Sequence, residues 1–360
     1  MKELIEKAQH IVIFTHMAPD GDAMGSSLAL YHCLNVPEAQ LNAAEPLFKR
    51  AAGGSVYVIV PNAYPSFLAW MPGADQIRIY EKENAACDKL IAEADLFICT
   101  DFNDPKRIGP MGEKMLANPA KKILIDHHLN PVDFANEVHS EPEASSSCEI
   151  VYKLLFQEER INAAEPQCKR AHGTCLTTDI ATCIYTGLMT DTGNFSYNSA
   201  RCEIYEIVAE LVRAGVEKEK VYDAVFNQYS TDRMRLTGYA LYRKMRIYPE
   251  HHLALITLDA NELDRFHYQP GDCEGLVNMP LQIGDVYYSV CMREERAKPG
   301  TPKSRIRISF RSQGDRPVNI WASEVFHGGG HMNASGGELF GTIEQAVALF
   351  EKTYKKYLKI

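Results

Sequence analysis

Several acidic and histidine side chains in this 360-residue sequence have the types and positions that metal-assisted chemistry requires. They form four groups, and each group directly follows an apolar run or a helical pattern. The groups are His16, Asp20 and Asp22 after IVIFT; Asp101 after LFICT; Asp126, His127 and His128 after KILI; and Asp191 in MTDTG, after the helical pattern ATCIYTGL. Because buried carboxylates that lie together need a counter-charge, these groups predict a site for divalent cations.

Carboxylate oxygens and imidazole nitrogens suit manganese, iron(II), cobalt or magnesium better than an ion that prefers thiolates. Two such ions about 3.5–4 Å apart can activate a water molecule and hold both the attacked and the leaving oxygen of a phosphate. We expect Asp101 to bridge them. Taken singly, each group has a simpler interpretation as a core histidine, a turn or a helix N-cap. Their joint placement after predicted strands, and after a helix for Asp191, favours the two-metal interpretation.

A basic strip in the C-terminal third could bind phosphate. Arg305, Arg307 and Arg311 alternate with apolar residues in SRIRISFR, which is typical of a strand with one charged face. Planar guanidinium groups suit phosphate oxygens. A solvated outer face is an equally good interpretation of the strip as a whole.

The glycine run Gly328–Gly330 predicts a loop whose backbone N–H groups can approach a ligand, and His331 follows it directly. For the glycines alone, a flexible turn is the alternative. We expect Gly329, Gly330, His331 and Arg311 to bind one end of a phosphorylated substrate. Arg107, shortly after Asp101, is a further candidate for phosphate binding, with a surface salt bridge as its alternative.

The apolar runs predict the fold that positions these groups. β-type runs separated by helical patterns indicate an α/β domain with a mostly parallel sheet and helices on both faces. In such sheets, ligands bind beyond the carboxyl ends of the strands. The predicted strands are 11–15, 56–60, 96–100 and 122–125, and the predicted helices include 87–94 and 23–34, the latter starting only after Asp22.

The pattern changes from about residue 236, where strands at 252–258, 286–292 and 304–311 precede a closing helix at 343–358. Helical segments at 203–214 and 222–225 lie before this point. We therefore predict a catalytic domain at residues 1–205, a helical linker at 206–238 and a smaller α+β domain at 239–360. The active site is expected in the cleft between the two domains.

Composition narrows the class of protein. The formal net charge of −9 argues against binding of long nucleic acid, including long duplexes, although a local basic patch or a bound metal ion can still attract a small phosphorylated molecule. The ten cysteines include no Cys-x-x-Cys pair, so we expect buried thiols and no structural zinc site. No signal peptide or membrane-spanning run is recognised, which predicts a cytoplasmic protein without membrane contact.

Two similar segments, LNAAEPLFKRAAGG at 41–54 and INAAEPQCKRAHGT at 161–174, form an internal echo. Two copies are too few for a repeat architecture, which needs at least about three. We interpret them as insertions in surface loops, with a partner-binding or lid element as the alternative.

The order H-x-x-P-D-G-D, D, D-H-H and T-D-T-G resembles the DHH phosphoesterase family. The segment GGGHMNASGG at 328–337 resembles the glycine-rich motif of the DHH-associated domain. The resemblance covers nearly the whole chain apart from the echo segments. It is strongest to the subgroup that degrades very short RNA and dephosphorylates 3'-phosphoadenosine 5'-phosphate (pAp).

The resemblance implies two divalent metal ions, with Mn²⁺ favoured and Mg²⁺, Co²⁺ or Fe²⁺ as alternatives. It implies that His128 stabilises charge on the phosphate or protonates the leaving group, and that Asp126 orients its neighbours. The implied ligands are His16 and Asp20 for one ion, Asp22, His127 and Asp191 for the other, and Asp101 between them.

The expected reaction is hydrolysis of short oligoribonucleotides and of pAp, so the expected partners are short single-stranded RNA and small nucleotides. A homodimer remains open. One alternative is hydrolysis of pyrophosphate or polyphosphate on the same metal platform, although the Ser-Arg-Lys-Lys signature of family II pyrophosphatases is absent from the sequence. Two others are a phosphodiesterase related to cyclic dinucleotides and a nucleotide sensor without turnover.

Overall fold

The computed structural model describes residues 1–35, 47–48, 53–157, 176–297 and 303–358. These residues form two compact units, Met1–Gln228 and Tyr229–Ile360. Most of the first echo segment and all of the second lie outside the described residues, so their interpretation stays a prediction. In the part of the chain that is described, no helix has the length and apolar content needed to cross a membrane.

The first unit contains a six-stranded sheet in which every neighbouring pair is parallel. The strand order is β3-β2-β1-β4-β5-β6. The strands are β1 His10–Phe14, β2 Ser55–Val60, β3 Arg78–Ile79, β4 Leu96–Thr100, β5 Lys121–Asp126 and β6 Glu137–Ser140. The chain runs outward from β1 in one direction and returns to β4 on its other side. The sheet therefore has its topological switch point between β1 and β4, where ligand crevices form.

Helices cover both faces of this sheet because successive strand residues point to opposite sides. Ile11 and Ile13 pack in one apolar cluster and Val12 and Phe14 in another. The helices are α1 Lys2–Lys7, α2 Gly21–Leu34, α3 Tyr80–Glu93, α4 Pro110–Ala117, α5 Ser147–Tyr152, α6 Thr178–Asp191, α7 Cys202–Arg213 and α8 Lys218–Phe226. The predicted α/β class with a parallel, two-sided sheet is confirmed.

The prediction that the helix after β1 begins beyond Asp22 is wrong, because α2 starts at Gly21. The side chain of Asp20 accepts hydrogen bonds from the N–H groups of Asp22 and Ala23 and so forms the N-cap. A glycine is needed at position 21, since a Cβ there would lie 2.2 Å from Oγ1 of Thr190 on α6. Asp22 therefore lies in the first turn of α2.

The second unit contains a mixed six-stranded sheet in the order β11-β12-β10-β9-β8-β7. Only the β8–β9 pair is parallel among its described strands. The strands are β7 Arg246–Tyr248, β8 Leu253–Leu258, β9 Tyr288–Glu295, β10 Arg305–Ser312, β11 Gly329–His331 and β12 Ala334–Phe340. The helices are α9 Thr231–Tyr239, α10 Ala260–Arg265, α11 Asn319–Phe326 and α12 Ile343–Tyr357.

One face of the second sheet is closed by an aromatic core in which Phe310, Trp321, Phe326 and Phe350 pack together. The prediction of a loop at Gly328–Gly330 is partly wrong, because Gly329 and Gly330 belong to strand β11. The reason is close backbone approach: a Cβ on Gly328 would lie 1.8 Å from the carbonyl oxygen of Gly336. Only a glycine lets the chain enter the sheet here.

Candidate metal centre

The six predicted metal ligands all lie in the first unit, where three strands and two helix ends place them. His16, Asp101 and His127 follow or end at the carboxyl ends of β1, β4 and β5, which are neighbours in the sheet. Asp20 caps α2, and Asp22 lies in its first turn. Asp191 is the last residue of α6. The site therefore occupies the switch point of the sheet.

His16 forms the first ligand group with two carboxylates. Its Nε2 lies 3.2 Å from Oδ2 of Asp101 and 3.7 Å from Oδ2 of Asp20. Its Nδ1 lies 3.0 Å from the carbonyl oxygen of Met17, which can only accept a hydrogen bond. A proton on Nδ1 leaves the Nε2 lone pair directed at the carboxylates, as a metal-binding imidazole requires.

His127 forms the second group. Its Nε2 lies 3.4 Å from Oδ2 of Asp191, 3.6 Å from Oδ1 of Asp101 and 3.8 Å from Oδ2 of Asp22. Its Nδ1 lies 3.2 Å from the carbonyl oxygen of Ala144, which fixes the ring in the same way. The two histidines thus approach different oxygens of the same Asp101 carboxylate. Ligand atoms of His16, Asp20 and Asp101, and those of Asp22, Asp101 and His127, lie within 4.8 Å of one another.

The backbone turns sharply at Asp101 to place this shared carboxylate. Its φ is 63°, in the left-handed region that residues other than glycine seldom adopt. The N–H of Asp101 donates to the carbonyl oxygen of Ile125 at 3.0 Å, which extends the β4–β5 pairing to the turn. Local strain of this kind is typical of functional sites.

Asp22 is held by the N-terminus of α5, a contact that sequence reasoning missed. The N–H of Ser147 donates to Oδ2 of Asp22 at 2.6 Å, and that of Cys148 donates to Oδ1 at 2.9 Å. The Ser147 hydroxyl also donates to Oδ1 of Asp101 at 3.0 Å. The signal available in the sequence was Ser146 three positions before Glu149, a spacing typical of a helix start.

The electrostatics of the site fit a divalent cation. Asp22 and Asp101 are only 1% and 2% exposed. Burial raises the pKa of Asp22, and repulsion from Asp101 and Asp191 raises it further. Burial and Arg107 lower the pKa of His16, but hydrogen bonds with Asp101 and Asp20 outweigh them and raise it to about 10.

His127 responds in the same way, since burial lowers its pKa while Asp191, Asp22 and Asp101 raise it to about 9. Without a cation, the cluster thus binds extra protons to offset its negative charge. Cations in place of these protons would satisfy the same carboxylates, so the donor set fits the two predicted divalent ions.

Asp126, His128 and Arg107 lie beside these ligands. Nδ1 of His128 lies 2.7 Å from Oδ1 of Asp126, and its Nε2 lies 3.0 Å from Nη1 of Arg107. Burial, followed by the positive charge of Arg107, lowers the pKa of His128 to about 3.

The predicted substrate-binding residues Arg311, Gly329, Gly330 and His331 lie together on the second sheet. Arg311 pairs with Ala334 across β10 and β12, and Ala334 pairs with His331 across β12 and β11. Residues in one register row share a face of the sheet, so Arg311 and His331 flank the same surface. Gly330 pairs with Ser335 in the adjacent row, on the opposite face.

The basic strip is largely neutralised within the sheet. The guanidinium of Arg305 binds the carboxylate of Glu338, and Nε of Arg307 lies 3.5 Å from Oε1 of Glu295. This arrangement favours the solvated-face interpretation for Arg305 and Arg307. Nη1 of Arg311 donates to the carbonyl oxygen of Phe310 at 2.9 Å, and this bond to a neutral group does not offset the charge of the guanidinium.

Two positions along the strands, on the same face as Arg311 and His331, Ser309 pairs with Gly336, which pairs with Gly329. A Cβ on Gly329 would meet nothing within 4 Å, and one on Gly336 would meet only a carbonyl oxygen at 3.8 Å. By contrast, Gly330 has a φ of +136°, and a Cβ on Gly337 would lie 2.8 Å from the Cβ of Phe326. The fold requires Gly330 and Gly337, whereas Gly329 and Gly336 leave an open surface, which we call the glycine floor.

Comparisons with known proteins agree with this architecture. The family model described as "DHH family, N-terminal domain" matches residues 10–188. The structure of an exopolyphosphatase-related protein from Bacteroides fragilis is similar, with 44% identity, a TM-score of 0.82 and coverage of 99% of this chain and 94% of that one. Two proteins named bifunctional oligoribonuclease and PAP phosphatase NrnA are also similar. That of Bacillus subtilis is 24% identical over 92% of this chain and 89% of its own length, and that of Thermus thermophilus is 26% identical over 92% and 84%.

The fold and these relatives define an enzyme that hydrolyses phosphoester bonds. The chain belongs to the DHH family, in which it resembles the oligoribonucleases and pAp phosphatases. Its structure contains the candidate metal-binding groups that a divalent-metal-dependent hydrolase needs.

Proposed function

We propose that this enzyme hydrolyses short oligoribonucleotides and pAp with the help of two divalent metal ions. The observation that carries the proposal is the sharing of Asp101 between two ligand groups, each with its own histidine. Two adjoining cation sites with a common carboxylate are the arrangement used for displacement at phosphorus. The names of the Bacillus and Thermus relatives support the choice of substrates.

In this proposal, His16 and Asp20 would hold one ion, Asp22, His127 and Asp191 would hold the other, and Asp101 would serve both. Bound cations would polarise the phosphate and favour the deprotonated form of an attacking water. The N–H groups of Ser147 and Cys148 keep the Asp22 carboxylate oriented, and the carbonyl oxygens of Met17 and Ala144 keep the two imidazoles oriented.

We further propose that the glycine floor binds the part of the substrate that is not cleaved. Gly329 and Gly336 are exposed, and neither has a positive φ or a neighbour that excludes a side chain. Glycine at such positions lets a ligand approach the backbone closely. Arg311 and His331 at its edge would contact phosphate or base atoms, and Gly330 supports the strand from which His331 projects.

The test is a product assay with oligoribonucleotides from dinucleotides to long single strands, together with pAp. Each substrate is incubated with Mn²⁺ and with Mn²⁺ plus chelator. We expect the enzyme to hydrolyse pAp and the shortest RNAs, and we expect chelator to abolish this turnover. Long strands should be hydrolysed much more slowly. Equal rates on long and short strands would contradict the substrate class.

Hydrolysis of polyphosphate is a second candidate, because the Bacteroides relative is described as exopolyphosphatase-related. The glycine floor favours a substrate with a flat, weakly charged portion, which inorganic polyphosphate lacks. Adding pyrophosphate and polyphosphate to the same assay distinguishes the two, since faster release of phosphate from these than from pAp would favour the second candidate.

A further inference from the structure

Three side chains beside the metal ligands form a chain of hydrogen bonds that leads from the core to Arg107. Asp126 is fully buried at the end of β5. His128 lies between Asp126 and Arg107, with 2.7 Å from its Nδ1 to Oδ1 of Asp126 and 3.0 Å from its Nε2 to Nη1 of Arg107.

The direction of these bonds follows from the chemistry of the guanidinium. An arginine side chain has five N–H donors and no acceptor, and it stays protonated in proteins. Nε2 of His128 must therefore accept from Arg107 and carry no proton. The proton of the neutral ring is then on Nδ1, where it donates to Asp126. In this arrangement, Nε2 of His128 has no proton to give to a leaving group.

Within the described residues, the guanidinium of Arg107 has no acidic hydrogen-bond partner, in contrast to that of Arg305. Among the described residues, the single hydrogen-bond partner of its guanidinium is the imidazole of His128, and no carboxylate lies within 4 Å of it. The salt bridge that the sequence left open as an alternative is thus not formed in this part of the chain. A neutral partner leaves most of the N–H donors of Arg107 available to an anion.

The main chain of Arg107 is also fixed against the metal-ligand loop. Its carbonyl oxygen accepts from the N–H of Met17 at 2.8 Å, one residue after His16. Its own N–H donates to the carbonyl oxygen of Asp104 at 2.9 Å, in the 3₁₀ turn Pro105–Ile108. Arg107 is thus held at both ends, by its backbone and by its guanidinium.

We propose that Arg107 is a catalytic residue that contacts a non-bridging oxygen of the scissile phosphate, and that His128 and Asp126 are positioning residues that hold its guanidinium. The inference rests on the proposed phosphoesterase reaction. Water oxygen forms the new bond to phosphorus, and the bond to the leaving oxygen breaks with its electron pair. The attacking water loses a proton to solvent and the leaving oxygen gains one from solvent, so Arg107 and His128 transfer none.

The experiment compares R107A, H128A, H128Q and the double variant R107A/H128A. K106A is the matched control, since Lys106 is an exposed cation on the same turn. We expect R107A to lower kcat by about 10²–10³-fold, the usual effect of removing one donor to a developing oxyanion. H128A should approach the same loss, and the double variant should be no worse than R107A, because His128 acts through Arg107. Guanidinium ion in solution should partly restore R107A and leave K106A unchanged.

Two comparisons separate positioning from proton donation. H128Q retains an acceptor for Arg107 but no transferable imidazole proton, and we expect it to be at least about tenfold faster than H128A. Each variant is also tested on bis-p-nitrophenyl phosphate, whose leaving group needs no proton. Positioning predicts equal fractional losses on this ester and on pAp. If His128 were the proton donor, H128Q would be as slow as H128A, and both would lose far less on the ester.

A direct readout uses ring ¹⁵N shifts of His128 in the metal-free protein. We expect the Nδ1-protonated neutral tautomer in the wild type and a change of tautomer population in R107A. A proton on Nε2 of the wild-type ring would overturn the inference, because that nitrogen could then not accept from Arg107. Wild-type enzyme that cleaves the nitrophenyl ester but neither pAp nor short RNA would refute the proposed substrates, while the roles of Arg107 and His128 could still be read on the ester. The melting temperature of each variant controls for loss of fold.

Discussion

The candidate metal centre of the first unit and the glycine floor of the second unit are built in opposite ways. The candidate centre concentrates buried charge: carboxylates and imidazoles converge from β1, β4, β5, α2 and α6, and helix α5 donates N–H groups to the Asp22 carboxylate. The glycine floor is defined by missing side chains, because Gly329 and Gly336 have room for a Cβ that they do not carry. A site made of charged ligands needs those ligands to be placed accurately, whereas the glycine floor needs only a backbone that no side chain covers.

The largest effect that this contrast predicts is loss of Asp101, the carboxylate shared by both ligand groups. We expect D101N to lower kcat/KM for pAp by more than about 10³-fold, since it weakens both cation sites at once. Steady-state kinetics and Mn²⁺ calorimetry measure this. D133N, which neutralises an exposed acid in the same unit, is the control. A D101N enzyme with near wild-type activity would break the two-metal proposal.

A substitution on the glycine floor should impair binding without impairing the fold. G336V places a side chain in open space, and we expect KM for pAp to rise by about 10- to 100-fold with little change in kcat. The melting temperature should stay level or increase, because glycine weakens a strand interior. G284A is the matched control, at another glycine with open space around it. An unchanged KM in G336V would show that the floor does not contact substrate.

In the first unit, adding a side chain at a glycine should impair the fold. A Cβ on Gly187 of α6 would lie 2.2 Å from Sγ of Cys148 and 2.9 Å from Oδ1 of Asp22. We therefore expect G187A to lower the free energy of unfolding by about 1–3 kcal/mol and to weaken Mn²⁺ binding. Chemical denaturation and calorimetry test this. Full stability in G187A would mean that α5 and α6 are packed less closely around Asp22 than described.

The smallest effect concerns the support of α5. Burial raises the pKa of Glu149, but its bonds with Lys153, Ser145 and Arg201 outweigh burial and lower it below the usual 4.5. Because the folded pKa is the lower one, Glu149 contributes stability above pH 4.5 that is lost as the pH falls through the folded value.

We expect E149Q to be less stable than wild type by about 1–2 kcal/mol at pH 7, with the difference shrinking in acid. Melting temperatures of both proteins across this pH range measure the difference. A constant gap between the two proteins at all pH values would contradict an ionic role.

Sequence patterns predicted the strands of the first sheet that have strongly apolar, β-branched runs, and the structure contains all four. They missed β3 and β6, which are short edge strands with few apolar residues, such as Glu137–Ser140. Edge strands need less burial, so their pattern is weak. The candidate ligands were visible because each belongs to a charged motif at a strand or helix end.

Other features of the candidate site could not be read from sequence. The spacing of Ser146 and Glu149 indicates a helix start, but every residue has a backbone N–H. Nothing in the sequence therefore showed that those of Ser147 and Cys148 bind Asp22, which lies 125 and 126 positions away. The start of α2 depended on whether Asp20 caps the helix, which is a question of side-chain geometry. Likewise, GGGHMNASGG does not reveal which glycines serve the fold and which leave space, since that depends on neighbours such as Phe326 and Gly336.

The most direct test is anomalous diffraction from crystals of the wild-type protein soaked in Mn²⁺. We expect two peaks about 3.5–4 Å apart, one beside His16 and Asp20 and the other beside Asp22, His127 and Asp191, with Asp101 contacting both. A single peak, or peaks away from Asp101, would contradict the two-metal site on which the proposed reaction depends.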